Sequence, residues 1–252
     1  MNINLVCPIL VLDNESNSNI RKNDIKTLKL LVNKKDKSLI SVCLNEVKDI
    51  KDTLKKYIKT IINSDKFHLE QVYTLGEERY YIDNSIDIIY LAIVNIKNIN
   101  NLADNYSLID FGINNNTIRF DDNIYDFKTL EKIKNNNIEY YHAIKVDNLC
   151  LEKELLEIII SYKHLRSKVD FSDIIFKFLG DTFTLEDVRL VYELIKEANV
   201  DKSNFRKRII KYCEEVSGYS SKKGYRPSKL YKFKVLKGDI WLWSLLQIIK
   251  EN

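Results

Sequence analysis

The residues with the clearest chemistry lie near the C-terminus, in Asp201–Lys211 (DKSNFRKRIIK). Read as a helix with Phe205, Ile209, Ile210 and Cys213 turned inward, the segment places Lys202, Ser203, Arg206, Lys207 and Lys211 on its other side. Such a face is cationic and carries hydrogen-bonding groups. A single helix fits the major groove of duplex DNA, where each base pair shows its own pattern of donors and acceptors. Residues at the N-terminal end of a recognition helix reach base edges, which points to Lys202, Ser203, Asn204 and Arg206. Lys207 and Lys211 would rest on phosphates, which position a protein without reading sequence. The loop Lys222-Lys223-Gly224-Tyr225-Arg226 would lie along the backbone or in the minor groove, making Lys222, Lys223 and Arg226 further contacts. A solvated basic helix with no partner is the bland alternative. The basic loop and the well-capped helix upstream favour DNA.

Charge distribution supports this choice. Residues 201–237 hold 12 Lys+Arg and 3 Asp+Glu, a surplus of nine, although the net charge of the whole chain is only +4. The remainder therefore carries −5. A cationic end on an otherwise acidic protein is an electrostatic footprint of nucleic-acid binding. The chain is rich in Ile, Asn and Lys throughout, so the asymmetry is the evidence, not the lysine content.

The elements that must position this face follow from periodicity. Residues 3–12, 27–32, 39–44, 67–75, 85–94 and 139–144 read as strands. Asp49–Asn63 reads as an amphipathic helix through Ile50, Leu54, Tyr57, Ile58, Ile61 and Ile62. Residues 95–137 are Asn-rich and yield no assignment. Beyond Leu151 the pattern turns helical: a linker helix over Glu152–Leu165 and a short helix over Ser172–Leu179. A third helix starts at Thr184, where Thr184-Leu185-Glu186-Asp187 has the capping-box pattern. A fourth helix is expected over Lys202–Val216, followed by a turn-rich loop at 217–224 and a strand over Arg226–Val235. Helices followed by a β-hairpin make a winged helix-turn-helix.

Several motifs then agree in order and spacing. Phe183-Thr184-Leu185, Val191-Tyr192-Glu193, Asp201-Lys202-x-Asn204-Phe205-Arg206-Lys207 and Gly224-x-Arg226-Pro227-x-Lys229-Leu230-Tyr231-Lys232-Phe233 resemble the C-terminal domain of the Nudix-related transcriptional regulators, the NrtR-like family. Leu69–Gly76 (LEQVYTLG) resembles the strand that follows the Nudix box in that family. The resemblance implies an α+β chain: a Nudix-like α/β/α sandwich with a mixed sheet, then a winged helix-turn-helix. It implies a sensing and dimerising domain over 1–147, a linker helix over 148–170 and a DNA-binding domain with a tail over 171–252. It further implies a homodimer on a pseudo-palindromic DNA operator. The implied effector is ADP-ribose, a related nucleotide or a sugar, and the implied role is that of a ligand-responsive regulator, a repressor.

A working Nudix box reads G-x5-E-x7-R-E-U-x-E-E-x-G-U, and its glutamates hold Mg²⁺ against a diphosphate. Counting back from Leu69 sets the box on 42–64. Val42 and Lys48 then take the first Gly and Glu positions, Lys56-Tyr57 the Arg-Glu pair, Thr60-Ile61 the Glu-Glu pair and Asn63 the last Gly. The metal carboxylates are missing, so no catalytic residue, metal or cofactor is expected, and the protein is not expected to be an enzyme. A Nudix-type hydrolase of nucleoside diphosphate derivatives is the alternative, as is a regulator whose front domain only dimerises.

The four cysteines, at 7, 43, 150 and 213, have neither metal nor disulfide spacing. His68, His142 and His164 lack a carboxylate or cysteine at ligand spacing. Gln71, Tyr73 and Tyr90 fall where the family builds its ligand cleft, without being assigned as sites. The apolar run 240–249, with Trp241 and Trp243, is expected to pack back on the winged domain. No signal peptide pattern and no apolar stretch of spanning length is read, so a cytoplasmic protein away from the membrane is expected.

Overall fold

A computed structural model describes residues 2–15, 25–44, 49–76, 85–114, 116–134, 137–144, 146, 148–219 and 227–234. The chain forms two compact units. One comprises Met1–Val11, Leu28–Val94 and Asn98–Lys163; the other comprises Leu12–Thr27, Asn95–Lys97 and His164–Asn252.

The strands are β1 (Asn2–Cys7), β2 (Ile9–Glu15), β3 (Ile25–Asn33), β4 (Ile40–Leu44), β5 (His68–Leu75), β6 (Ser85–Asn95), β7 (Tyr106–Asn114), β8 (Thr117–Phe120), β9 (Asn123–Lys134) and β10 (Asn137–Ile144). They form one sheet in the order β10-β9-β8-β7-β3-β2-β6-β1-β4, with β5 also paired to β6. Strand β1 runs parallel to β6 and antiparallel to β4, so the sheet is mixed. The expected single strand over 3–12 is in fact two, β1 and β2. Pro8 separates them; it has no N–H for a ladder, and its carbonyl instead accepts from Ala92 N at 3.1 Å. The unassigned region 95–137 supplies β7, β8 and β9, whose inward residues Ile109, Phe111, Ile113, Ile118 and Phe120 alternate with exposed ones.

Helix α1 (Ile50–Ile62) starts at Asp49, whose carboxylate accepts from Asp52 N, and buries Leu54, Ile58, Ile61 and Ile62. It ends at Asn63, which is left-handed at φ 48°, ψ 44°. Asparagine tolerates that region better than most residues because its side chain bonds locally. Helix α2 (Leu149–Lys168) is longer than the sequence suggests and buries Leu155, Leu156, Ile158, Ile159 and Tyr162. The Phe111 and Tyr162 rings meet edge to face at 5.6 Å.

Strand side chains alternate between sheet faces. In β1 and β6, Asn4 and Asp87 face a cavity that they line with α2 residues. Tyr90, of the opposite parity, has its phenol held above the ordinary range by burial, and by the charge of Asp49 at the start of α1. Helices α1 and α2 therefore cover opposite faces, giving the three-layer α/β/α sandwich with a mixed sheet. Among the described residues no helix is long and apolar enough to cross a membrane.

The second unit carries a 3₁₀ turn (Asp173–Phe178), α3 (Leu185–Lys196), α4 (Lys202–Ile209) and the hairpin β11 (Cys213–Tyr219) and β12 (Lys229–Phe233). This is the winged helix-turn-helix order.

Candidate nucleic-acid interface

Helix α3 is the platform for α4. Thr184 caps it with a full capping box: Asp187 N donates to Thr184 Oγ1 at 3.1 Å, and Thr184 N donates back to Asp187 Oδ2 at 2.9 Å. Two N–H groups left over at the helix start are thereby satisfied. The inner face of α3 buries Leu185, Val188, Val191, Tyr192 and Ile195. Tyr192 packs its ring on Phe205 of α4, with centroids 5.4 Å apart, and donates its hydroxyl to Asp170 at 3.0 Å. Burial, with Asp170 alongside, holds that phenol far above its ordinary range. Lys196 neutralises the same carboxylate at 2.7 Å.

A second network fixes the connection between the helices. Arg189, almost fully buried, is gripped by Glu186 at 2.6 Å and by Glu193 at 2.5 Å. Its guanidinium holds the Glu186 carboxyl below the ordinary carboxylate range. Glu193 also accepts from Val200 N at 2.9 Å, which ties the turn back to α3. Asp201 then caps α4 by accepting from Asn204 N at 2.8 Å.

Within α4, Phe205 and Ile209 are buried, whereas Lys202, Ser203, Asn204, Arg206 and Lys207 are exposed. Lys211, on the 3₁₀ turn after the helix, is exposed too. The Lys202 side chain stays 70% exposed, even though its ammonium lies 3.6 Å from Glu186. Among the described residues, Arg206, Lys207 and Lys211 have no ion-pair partner. Six of the nine expected contact residues, all those within the described segments, are thus exposed.

Two details differ from expectation. Helix α4 ends at Ile209, not at Val216, because Cys213–Tyr219 is drawn into a hairpin. Cys213, Glu214, Glu215 and Val216 pair with Phe233, Lys232, Tyr231 and Leu230. Ile210 accordingly turns outward at 39% exposure, and Cys213 is only half-buried. The final strand is Lys229–Phe233, shorter than the expected 226–235. Its Tyr231 also pairs with Phe183, exchanging backbone hydrogen bonds of 2.9 and 2.8 Å. Phe176 sits between Phe183 and Phe233, at 5.5 and 4.5 Å, and anchors the hairpin's root. Gly218, at φ +123°, allows the register shift in β11 that a side chain would strain. Two hairpin lysines are paired with acids, Lys229 with Glu215 at 2.8 Å and Lys232 with Glu214 at 3.4 Å. Lys222, Lys223, Arg226 and the tail with Trp241 and Trp243 lie outside the described residues.

The Nudix-box alignment also acquires coordinates. Asn63, assigned to the last glycine, is the left-handed residue that closes α1, which fits that register. Of the catalytic positions on α1, Ile61 is buried, Thr60 is exposed and donates to Tyr57 O, and Tyr57 bonds the Tyr106 hydroxyl at 2.9 Å. Among the described residues no group of three or more His, Cys, Asp or Glu is placed to hold a metal ion. His68 does have a carboxylate neighbour, contrary to the sequence reading. Glu70, two residues on and therefore on the same strand face, bonds its Nε2 at 2.9 Å. Gln71, exposed, lies directly opposite the buried Tyr90 in the β5–β6 ladder, so these two share a sheet face, whereas the exposed Tyr73 pairs with Ile89 beyond a register shift.

Residues 175–233 match the NrtR DNA-binding winged helix domain family. No curated protein is a significant match to the chain. Among solved structures, Shewanella oneidensis NrtR complexed with a 27mer DNA aligns with TM-score 0.63 at 14% identity, covering 92% of this chain and 93% of that one. Shewanella oneidensis NrtR in a second crystal structure aligns with TM-score 0.62 at 12% identity, covering 93% and 94%. A MutT/nudix family protein from Enterococcus faecalis aligns with TM-score 0.61 at 17% identity, covering 92% and 86%. At these identities the structural likeness establishes the fold. The chain thus has a Nudix-like fold followed by a winged helix domain, and that domain matches the NrtR DNA-binding family over 175–233.

Proposed function

We propose that this protein is a ligand-responsive transcriptional regulator, acting as a repressor on a pseudo-palindromic operator as a homodimer. The observation that carries the reading is the exposed cationic face of α4, set on a winged helix domain of the NrtR DNA-binding kind. Lys202, Ser203, Asn204 and Arg206 read base edges. Lys207 and Lys211 hold phosphates, and Lys222, Lys223 and Arg226 of the wing follow the backbone or minor groove. Residues 1–147 sense and dimerise, 148–170 link, and 171–252 bind DNA. The protein works in the cytoplasm.

A metabolite in the front domain, with ADP-ribose, a related nucleotide or a sugar as the first candidates, shifts the dimer between two geometries. Its effect on operator affinity is limited to the difference in its own affinity for those geometries. Gel-shift titration against the upstream region of its own gene, at two salt concentrations, tests the DNA reading. Sequence-preferring, salt-sensitive binding is expected; binding that ignores both sequence and salt refutes it. Calorimetry against nucleotides and sugars separates a sensor from a pure dimerisation scaffold, which would bind none of them.

The structural likeness to a MutT/nudix family protein raises the hydrolase reading. Tyr57, Thr60 and Ile61 at the carboxylate positions argue against it, because Mg²⁺ needs hard oxygen ligands there. No turnover of ADP-ribose with Mg²⁺ is expected. Turnover that disappears when a single carboxylate of this chain is replaced would restore the enzyme.

A further inference from the structure

The face of the sheet that α2 covers holds a cavity of about 310 Å³. Its walls come from Asn2, Asn4 and Val6 of β1, Ser38 and Leu39 before β4, Ser85 and Asp87 at the start of β6, and Lys153, Glu154 and Glu157 of α2. It lies across the sheet from α1, and so from the Nudix-box positions. Nothing in the DNA-binding reading uses it.

The charges in this cavity do not balance. Asp87 is 2% exposed, and its Oδ1 accepts from Asn4 Nδ2 at 3.0 Å. Lys153 forms a close ion pair with Asp87. Lys153 is the only cationic side chain among the described residues of the lining, and that pair uses it. Glu154 and Glu157 remain. Glu154 accepts from the Leu39 backbone N–H. Glu157 is also 2% exposed; burial first, and its hydrogen bond with Asp87 second, push its carboxyl well above the ordinary range, and its Oε1 has no hydrogen-bond partner. A buried polar atom left without a partner is costly, because it has given up water for nothing. An acceptor of this kind calls for a donor, and a cationic donor would in addition offset the negative charge that Glu154 and Glu157 take on when they ionise.

We propose that this cavity is a binding site for a small organic cation, an aliphatic amine whose ammonium donates to Glu157 Oε1 and to Glu154. A bare metal ion fits less well, since no three acidic or metal-ligating side chains among the described residues converge on one point. An anion would meet the carboxylates. A neutral polyol could satisfy the unpartnered oxygen but not the charge. Binding draws protons off the site: Glu154 titrates at about 7, raised by burial and by Asp36 and lowered by Leu39 N–H and Lys153. Burial raises the Glu157 carboxyl well above the ordinary range; of the groups that face it, Asp87 and Glu154 raise it further and Lys153 lowers it. An arriving ammonium favours the ionised form of both, so protons leave as ligand binds.

The test is calorimetry on the full chain near neutral pH with three probes: diaminobutane, butanediol of the same length, and magnesium chloride. Diaminobutane should bind with proton release, read from two buffers of different ionisation heat. Butanediol should bind at least about tenfold more weakly. Glu157→Gln keeps the shape of the buried carboxyl and removes its capacity to ionise, and Glu154→Gln does the same at a partly exposed one. Each variant should melt as a folded protein and lose at least about tenfold in diamine affinity. Four results overturn the proposal: equal binding of the diol, binding of magnesium in place of the amine, diamine affinity untouched in both variants, or no diamine binding at millimolar concentration, which would leave the cavity to water. DNA binding does not enter this test, so its outcome is independent of the regulator reading.

Discussion

Replacing Arg206, Lys207 and Lys211 together by alanine should change how DNA binding responds to salt, by a calculable amount. Each phosphate neutralised on B-DNA contributes about 0.9 to the slope of log K against log salt. The three side chains are exposed and have no ion-pair partner among the described residues, so each has a full charge to offer. Their loss should flatten the slope by about 2.7 for one protomer on one half-site, and by about twice that for a homodimer. Between roughly 50 and 200 mM salt, a change of 2.7 alters the ratio of wild-type to variant affinity by about 40-fold. Lys229 and Lys232 provide the contrast. They are held by Glu215 and Glu214, so alanine at both should flatten the slope by less than half as much. Fluorescence anisotropy with a labelled operator duplex, titrated at five salt concentrations, gives each slope. A triple variant with an unchanged slope means that α4 does not face the polyanion, however basic it is. Equal effects from the hairpin lysines would show that ion pairing in the free protein does not decide which cations act.

Three stability measurements probe the supports of the two units. Thr184→Ala removes the bonds made by the Thr184 hydroxyl, from Asp187 N and to Asp187 Oδ2, keeps the one donated by its backbone N–H, and should cost about 1 kcal/mol, seen as a lowered Tm. At Asn63 the left-handed backbone predicts that Asn63→Ala lowers the Tm, at a cost of about 1 kcal/mol, while Asn63→Gly leaves it the same or higher. Ala and Gly changing Tm by the same amount would deny that backbone geometry. For Glu154 the folded pKa, about 7, lies above the ordinary 4.5, so the folded state binds the extra proton. Its stabilising contribution is then complete below about pH 4.5 and is lost as pH rises toward 7. Thermal melts from about pH 5 to 8 should show wild type losing Tm relative to Glu154→Gln as pH increases; a gap that stays constant refutes the shift.

How much of this was legible in the sequence depended on how local the cause was. Helix α1 announced itself through Leu54, Ile58, Ile61 and Ile62, and α3 through the Thr184–Asp187 box; each signal is complete within a few turns. Strands β7 and β8 did carry a period of two, in Ile109, Phe111, Ile113, Ile118 and Phe120. Asn114–Asn116 and the Asp121-Asp122 turn interrupted it within a region of low hydrophobicity. The end of α4 was misread because Phe205, Ile209, Ile210 and Cys213 continue a helical spacing past the point where long-range pairing takes over. Glu214 and Glu215 meet Lys232 and Lys229 only once the hairpin has closed. The cationic face was legible, since composition and helical period were enough. The α2 cavity was not, because Asn4, Asp87 and Glu157 come from three elements far apart in the chain and share no spacing.

The winged-helix motif residues divide by role. Tyr192 packs on Phe205 and bonds Asp170; Glu193 takes Val200 N and Arg189; Asp201 caps α4; Phe183 and Tyr231 exchange backbone bonds. These contacts hold α4 and the hairpin in place. Among the described residues of the α4 part of the motif, Lys202, Asn204, Arg206 and Lys207 are exposed. A family match carried mostly by positioning residues is therefore strong evidence for how α4 is presented and weak evidence for which bases it reads. The consequence is separable. Ser203→Ala and Asn204→Ala should alter preference among operator variants with little change in salt slope, because base contacts specify and phosphate contacts do not. Tyr192→Phe should do the reverse of a specificity change. It removes one buried hydrogen bond, leaves Asp170 to Lys196 alone, and weakens binding to every sequence alike through a less firmly held helix. A Tyr192→Phe protein with altered operator preference would place that residue in the recognition surface and overturn the division.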